Sequence, residues 1–324
     1  MLARIAGNLF WLSRYMERAD YVARLLQVTG HMSAVRPESE SSSEWESAIV
    51  AAGVEEGFFN GREANEASVV DYLAFDLDNP SSIASCIETA RRNARSVRTA
   101  LTLEMWEAVN GTWLEMRQFE RAASVDQLVT FIEWVKARVG LFQGVYSNTM
   151  LRMDGFHFTR LGQFLERADN TARLLDVKYH VRLARVEDVG GVVDYYQWLA
   201  LLRVMAARRA YRVLYQGKVQ PSQVAELLIL RDEFPRSLLF CYERITEHLD
   251  WIEGQDTKRV AEAKQAAHGM HVRLKYGAIE SVMQGGLHEF LSEIVEKTSR
   301  LAGEIARAHL FGPEATQSQQ QTQG

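Results

Sequence analysis

The chain has 324 residues, 47% hydrophobic and 24% charged, with a formal net charge of −5. Those proportions belong to an ordinary folded protein and exclude a disordered chain, and no apolar run nears the ~20 residues of a membrane span. The weakly acidic balance supplies no global field for nucleic acid, and the length allows about two domains.

In chain order, the apolar opening Met1 to Trp11 runs into a charged helix without a small-residue cleavage site, so it reads as fold rather than signal peptide. That helix is predicted over 2–34, where Leu9, Leu12, Met16, Ala19, Ala23 and Leu26 fall at alternating steps of three and four. The polar loop Arg36 to Glu44 ends in an N-cap serine, and helices are expected next over 43–60, 67–76, 81–102, 103–117 and 125–152. A second series is expected over 157–184, 191–216, 222–231, 236–253, 258–284 and 287–310. All five prolines fall at helix borders: Pro37 and Pro313 past an end, Pro80, Pro221 and Pro235 at a start. No alternation of period two is sustained, so the fold class is all-α, packed as helical bundles with about five to six helices per half. After Pro313 the chain is too polar to pack, and residues 312–324 read as a disordered tail.

The first helix returns in the second half. Tyr15-Met16-Glu17-Arg18-Ala19-Asp20-Tyr21-Val22-Ala23-Arg24-Leu25-Leu26 recurs at an offset of 149 as Phe164-Leu165-Glu166-Arg167-Ala168-Asp169-Asn170-Thr171-Ala172-Arg173-Leu174-Leu175, and His31 meets His180. The offset drifts to 153 (Trp45 with Trp198, Phe58 with Tyr211), to 155 (Pro80, Ser82 and Cys86 with Pro235, Ser237 and Cys241) and to 159 (Leu128 and Phe131 with Leu287 and Phe290). Short loop insertions account for the drift, so the chain reads as an internal duplication with pseudo-twofold character: 1–150 as one repeat, 151–311 as the other. The repeat-equivalent Cys86 and Cys241 lie on apolar helix faces and read as small core residues rather than a disulfide. With no signal peptide, they point to a reducing cytoplasm.

What both copies keep is charged as well as apolar. On a helical wheel Glu17, Asp20, Arg24 and His31 share an arc of about 60°, with the apolar stripe about 120° away and Arg18 on its opposite flank. Glu166, Asp169, Arg173, His180 and Arg167 repeat the arrangement. Three readings stay open: surface i,i+4 pairs contributing about 0.2–0.5 kcal/mol each; a buried network setting register between the halves; or a ligand or catalytic site. In the last, Glu17, Asp20, Glu166 and Asp169 are the candidate acid/base groups. Arg18, Arg24, Arg167, Arg173 and Lys178 are candidates to hold a carboxylate or phosphate, with His31 and His180 to move protons.

No glycine-rich phosphate loop or nucleophile elbow occurs, so no nucleotide or other cofactor is expected. A di-iron bundle needs two Glu-x-x-His pairs, which are absent; His268 and His271 form an i,i+3 pair without an assigned third ligand, and no metal is expected. The first half alone carries an arginine ladder, Arg91, Arg95 and Arg98, followed by Glu104, Trp106 and Asn110. It reads as a solvated face or as a binding edge for an acidic partner or phosphate, with Arg95 and Arg98 as candidate contacts.

The two Glu-Arg-Ala-Asp helices, each followed by Ala-Arg-Leu-Leu, together with Asn93-Ala-Arg95-Ser-Val-Arg98, Trp106 and Asn110, resemble the bacterial alpha-E domain family over Met1 to about Phe311. The second copy is nearer the family pattern; in the first, Tyr21-Val22 replaces Asn170-Thr171 and Gln27 replaces Asp176, so any role of Asn170 belongs to the second half. The resemblance implies genomic company with a circularly permuted ATP-grasp ligase and a transglutaminase-like peptidase, hence an accessory or substrate-carrying role in forming peptide or amide bonds. Alternatives are an enzyme using the motif carboxylates on a peptide-like or anionic substrate, and a structural oligomerisation module, which admits a homo-oligomer. Neither nucleic acid nor membrane is expected as a partner.

Overall fold

A computed structural model describes residues 3–34, 42–119, 125–180, 191–252 and 258–310. Among them the architecture is all-α, with fifteen α-helices, three short π or 3-10 segments and no strand. Residues 36–41 of the predicted loop and the predicted tail lie outside the described residues.

At the centre, helix α1 (Ala3–Ser33) packs along α8 (Asp154–His180), the two helices that carry the repeated motif. Around α1 lie α2 (Ser42–Ala52), α5 (Ile83–Ser96), α7 (Val125–Thr149) and α9 (Val192–Val204); around α8 lie α2, α12 (Leu238–Trp251) and α15 (Leu287–Ile305). Of the 31 residues of α1, 22 are buried, so this is a core helix enclosed on all sides and not a surface helix with one apolar stripe. Burial on every face is what brings Arg18, predicted to flank the stripe, into the interior.

The approach of α1 to α8 depends on one glycine. A Cβ on Gly162 would lie 3.0 Å from the carbonyl carbon and 3.2 Å from the Cα of Phe10, inside the van der Waals envelope of the α1 backbone. Core residues from both halves form one contiguous cluster across this contact, among them Phe10, Met16, Phe164 and Leu165.

Helix starts follow the sequence signals. Ser82 caps α5 by accepting from the Ser85 N–H at 3.1 Å, and Ser237 caps α12 by accepting from the Phe240 N–H at 3.0 Å. Three predicted long helices are broken. Segment 43–60 divides at Gly53 (φ +67°) into α2 and α3 (Glu55–Phe58); 191–216 divides at Ala206 (φ +55°) into α9 and α10 (Arg208–Tyr215). A left-handed residue reverses the local path, and at Ala206 it costs about 1–2 kcal/mol that the surrounding packing must offset. Segment 258–284 ends at Lys275 and resumes at Ile279, on either side of Gly277. Periodicity could not show these breaks, because the apolar spacing continues across them.

Candidate functional site

Where α1 and α8 cross, each motif glutamate holds the other motif's arginine. Glu17 accepts from Arg167 Nε at 2.7 Å and Nη2 at 3.1 Å; Glu166 accepts from Arg18 Nε at 2.6 Å and Nη2 at 3.3 Å. Both carboxylates are only 1% exposed. Each has further donors: Arg14 Nε on Glu166 at 2.7 Å, Gln143 Nε2 on Glu17 at 2.6 Å, and Arg236 Nη1 on Glu17 at 3.4 Å. These are charge-assisted bonds in a dry setting, the class that is costly to leave half-made.

The aspartates sit one turn on, each with its i+4 arginine. Asp20 is bound by Arg24 Nε at 2.7 Å and by Arg236 Nη2 at 3.1 Å, while Asp169 has Arg173 Nε at 2.7 Å. Arg24 also donates to the Val204 carbonyl and Arg173 to that of Ala51, at the ends of α9 and α2. Thus the predicted i,i+4 pairs exist, and the one on α1 is buried rather than exposed.

Burial opposes ionisation of Glu166, and the charges of Arg18 and then Arg14 overcome it, taking the carboxyl from 4.5 to about 2. At Asp20 burial is likewise outweighed, by Arg236 and then Arg24, and the carboxyl falls from 3.8 to about 2. Folded values below unfolded ones mean that this stabilisation is complete above about pH 4.5 and is lost as pH falls toward about 2. Thermal melting followed downward from pH 7 is therefore expected to hold its midpoint to about pH 5 as far as these groups decide it, then to fall steeply. A midpoint unchanged at pH 3 would contradict this.

Beneath the arginines lie Cys86 and Cys241, fully buried free thiols that burial pushes up to about 12, which keeps them protonated and unreactive.

The crossing opens on one side into a cleft. This cleft of about 550 Å³ has Arg14, Arg18, Glu166, Asp169 and Arg173 along its floor, with Tyr21 and Asn170 beside them. Its rim carries Glu55, Glu56, Asp78 and Ser81, from the start of α3 and the turn before α5. Its volume is within the range of small-molecule sites. On the other side Arg236 covers Glu17 and Asp20, and neither these nor Arg24 and Arg167 line the cleft.

The remaining predicted residues fall elsewhere. His31 is half-buried away from the cleft, its pKa lowered by burial and by Arg203. The side chains of Lys178 and His180 lie outside the described residues. Arg95 is exposed on α5 and Arg98 on the 3-10 turn that follows it, 4.7 Å over the Trp106 ring; nearby Arg91 stacks 3.8 Å over Trp113 and donates to Asn110 at 2.9 Å. His268 pairs with Asp250 at 3.0 Å and His288 with Asp176 at 2.7 Å. Among the described residues no group of three or more His, Cys, Asp or Glu side chains is placed to hold a metal ion.

Sequence reasoning missed Arg14, Gln143 and Arg236. Arg14 lies one turn before Arg18 on the same helix edge, a signal that was available. Arg236 sits between Pro235 and the cap Ser237, a position that reads as loop, and nothing local shows that it reaches α1.

A family model, Alpha-E, described as a predicted alpha-helical domain with a conserved ER motif, matches residues 1–310. An uncharacterized protein of Mycobacterium bovis is 26% identical over 323 residues, covering 90% of this chain and 35% of its own length. Two uncharacterized proteins of Mycobacterium tuberculosis strains match over the same shares at 26% and 25% identity. The chain thus spans about a third of the length of these curated relatives. No solved structure matches it significantly.

Proposed function

The chain belongs to the Alpha-E family, and on that premise we propose that it is a cytoplasmic accessory, substrate-carrying module of an ATP-grasp-linked system that forms peptide or amide bonds. One observation carries the reading. The glutamates and arginines of the ER motifs are engaged in holding α1 to α8, and the cleft beside them offers fixed charges of both signs with no cysteine, histidine or lysine in its lining. Such a site suits holding a polar substrate better than transforming it. The mycobacterial relatives are consistent with this, since this module matches only 35% of their length and the remainder is free to supply other chemistry.

The module itself is proposed to be an internal duplication, 1–150 and 151–311, about a pseudo-twofold axis. Supporting this are the reciprocal Glu17–Arg167 and Glu166–Arg18 pairs, the like-placed serine caps of α5 and α12, and the left-handed backbone at both Gly53 and Ala206. No helix among the described residues is long and apolar enough to cross a membrane.

The partners proposed are the ATP-grasp ligase and the transglutaminase-like protein of the same genome. Mixing the purified chain with that ligase is expected to give a complex on size exclusion and to change ligase turnover several-fold. No complex and unchanged turnover would contradict the proposal. The rival reading, acid/base catalysis on Glu17, Asp20, Glu166 and Asp169, is weakened because Glu166 and Asp20 are held ionised at about 2, too acidic to donate or accept a proton efficiently near neutrality. Of the four, Asp169 alone combines access to the cleft with partial exposure, at 17% of its side chain.

A further inference from the structure

Helices α5 and α12 are opened by the same step, Pro80-Ser81-Ser82 and Pro235-Arg236-Ser237, and in both the third residue, a serine, is the N-cap. The middle residue differs, and so does what happens at the motif helix in front of it. At α12 the Arg236 guanidinium reaches α1 and bridges Glu17 and Asp20, at 3.4 and 3.1 Å. Asp20 thereby has two cationic partners and is 2% exposed. At α5 the middle residue is Ser81, too short to reach α8. Asp169 is left with Arg173 alone and with its side chain partly open to the cleft. The position that a second cation fills on one side of the molecule is therefore open space on the other.

Around that space the charges are divided. Glu166 takes its second partner from Arg14, so two guanidinium groups share one carboxylate and leave a net positive charge on the floor. Arg14 is 8% exposed, gives Glu166 its Nε and lies with its guanidinium 4.8 Å over the Trp11 ring, on the wall of the cleft. At the rim Glu55, Glu56 and Asp78 supply negative charge near the entrance. A simple anion would meet the acidic rim and a simple cation the arginine floor. A ligand carrying both charges satisfies both.

We propose that this cleft binds an amino acid or short peptide as its zwitterion, the ammonium or guanidinium group on Asp169 in the role Arg236 plays for Asp20, and the carboxylate against Arg14 and Arg18. The proposal rests on the substrate-carrying reading and names the class of substrate.

The test uses the full chain and isothermal titration with each of the twenty proteinogenic L-amino acids and a panel of dipeptides. At least one is expected to bind with Kd below about 1 mM, and its decarboxylated and N-acetylated analogues about tenfold or more weaker, since each removes one charge. Asp169→Asn is expected to weaken binding about tenfold. Ser81→Arg installs the side chain that the other side already has; it is expected to abolish binding while the melting temperature stays equal or rises, which separates occlusion of the cleft from misfolding. No binding across the panel, equal binding by Ser81→Arg, or a decarboxylated analogue that binds as tightly as its parent would overturn the proposal. A ligase complex without ligand binding would remove only this assignment, whereas ligand binding without a complex would remove only the accessory role.

Discussion

Replacing Glu166 by alanine is expected to destabilise the protein by about 3–5 kcal/mol, measured as a lower denaturation midpoint in urea. The substitution leaves Arg14 and Arg18, with side chains only 10% and 15% exposed, side by side without the carboxylate they share, two like charges that little water reaches. Glu293 is the control. Its bonds to Arg273 and Lys297 also hold its carboxyl at about 2, yet both it and Arg273 are more than a third exposed. Glu293→Ala is therefore expected to cost less than about 1 kcal/mol, because water screens the pair and solvates what remains. Equal losses at the two sites would show that burial is not what gives the motif its weight.

The second large effect is expected at Gly162. A methyl group there meets the Phe10 carbonyl, and the neighbour is helix backbone rather than a side chain that can rotate away. Gly162→Ala should therefore separate α1 from α8 or tilt them, at a cost of about 1–3 kcal/mol, and more if the ion pairs beside it lengthen. Gly140 and Gly144, where a Cβ would meet nothing within 4 Å, are the contrasting positions on α7. Alanine at either should be neutral or mildly stabilising through helix propensity, by up to about 1 kcal/mol. Differential scanning calorimetry of the three variants checks the ordering.

These two effects also mark what could be read from the sequence. Helix class and most helix borders follow from apolar spacing and caps, as at Ser82, Ser237 and Pro221, because those signals are local. The breaks at Gly53 and Ala206 are tertiary choices, since nothing in the apolar pattern distinguishes them from continuing helix. For the charged motif, the wheel located Glu17, Asp20 and Arg24 on one edge but set Arg18 apart, because a wheel treats a helix as having one buried face. Helix α1 is surrounded, so its flanks are interfaces too, and Arg18 finds its partner 148 residues away. The cleft is legible only in part: Glu166, Asp169 and Arg173 are marked by the repeat and Asn170 by the family resemblance, whereas Arg14, Ser81 and the acidic rim come to it through the packing of α1, α3 and the turn before α5. A residue such as Arg236, whose partners lie on another helix, leaves no local trace of its role.

The reciprocity of the two motifs is open to direct measurement by double-mutant cycles with Glu17→Gln, Arg18→Met, Glu166→Gln and Arg167→Met. The pairs Glu17 with Arg167 and Glu166 with Arg18 are expected to show coupling of about 1–3 kcal/mol across a sequence separation near 150 residues, while the adjacent Glu17 and Arg18 should be additive within about 0.5 kcal/mol. Strong coupling within each motif and additivity between the motifs would contradict the reciprocal frame.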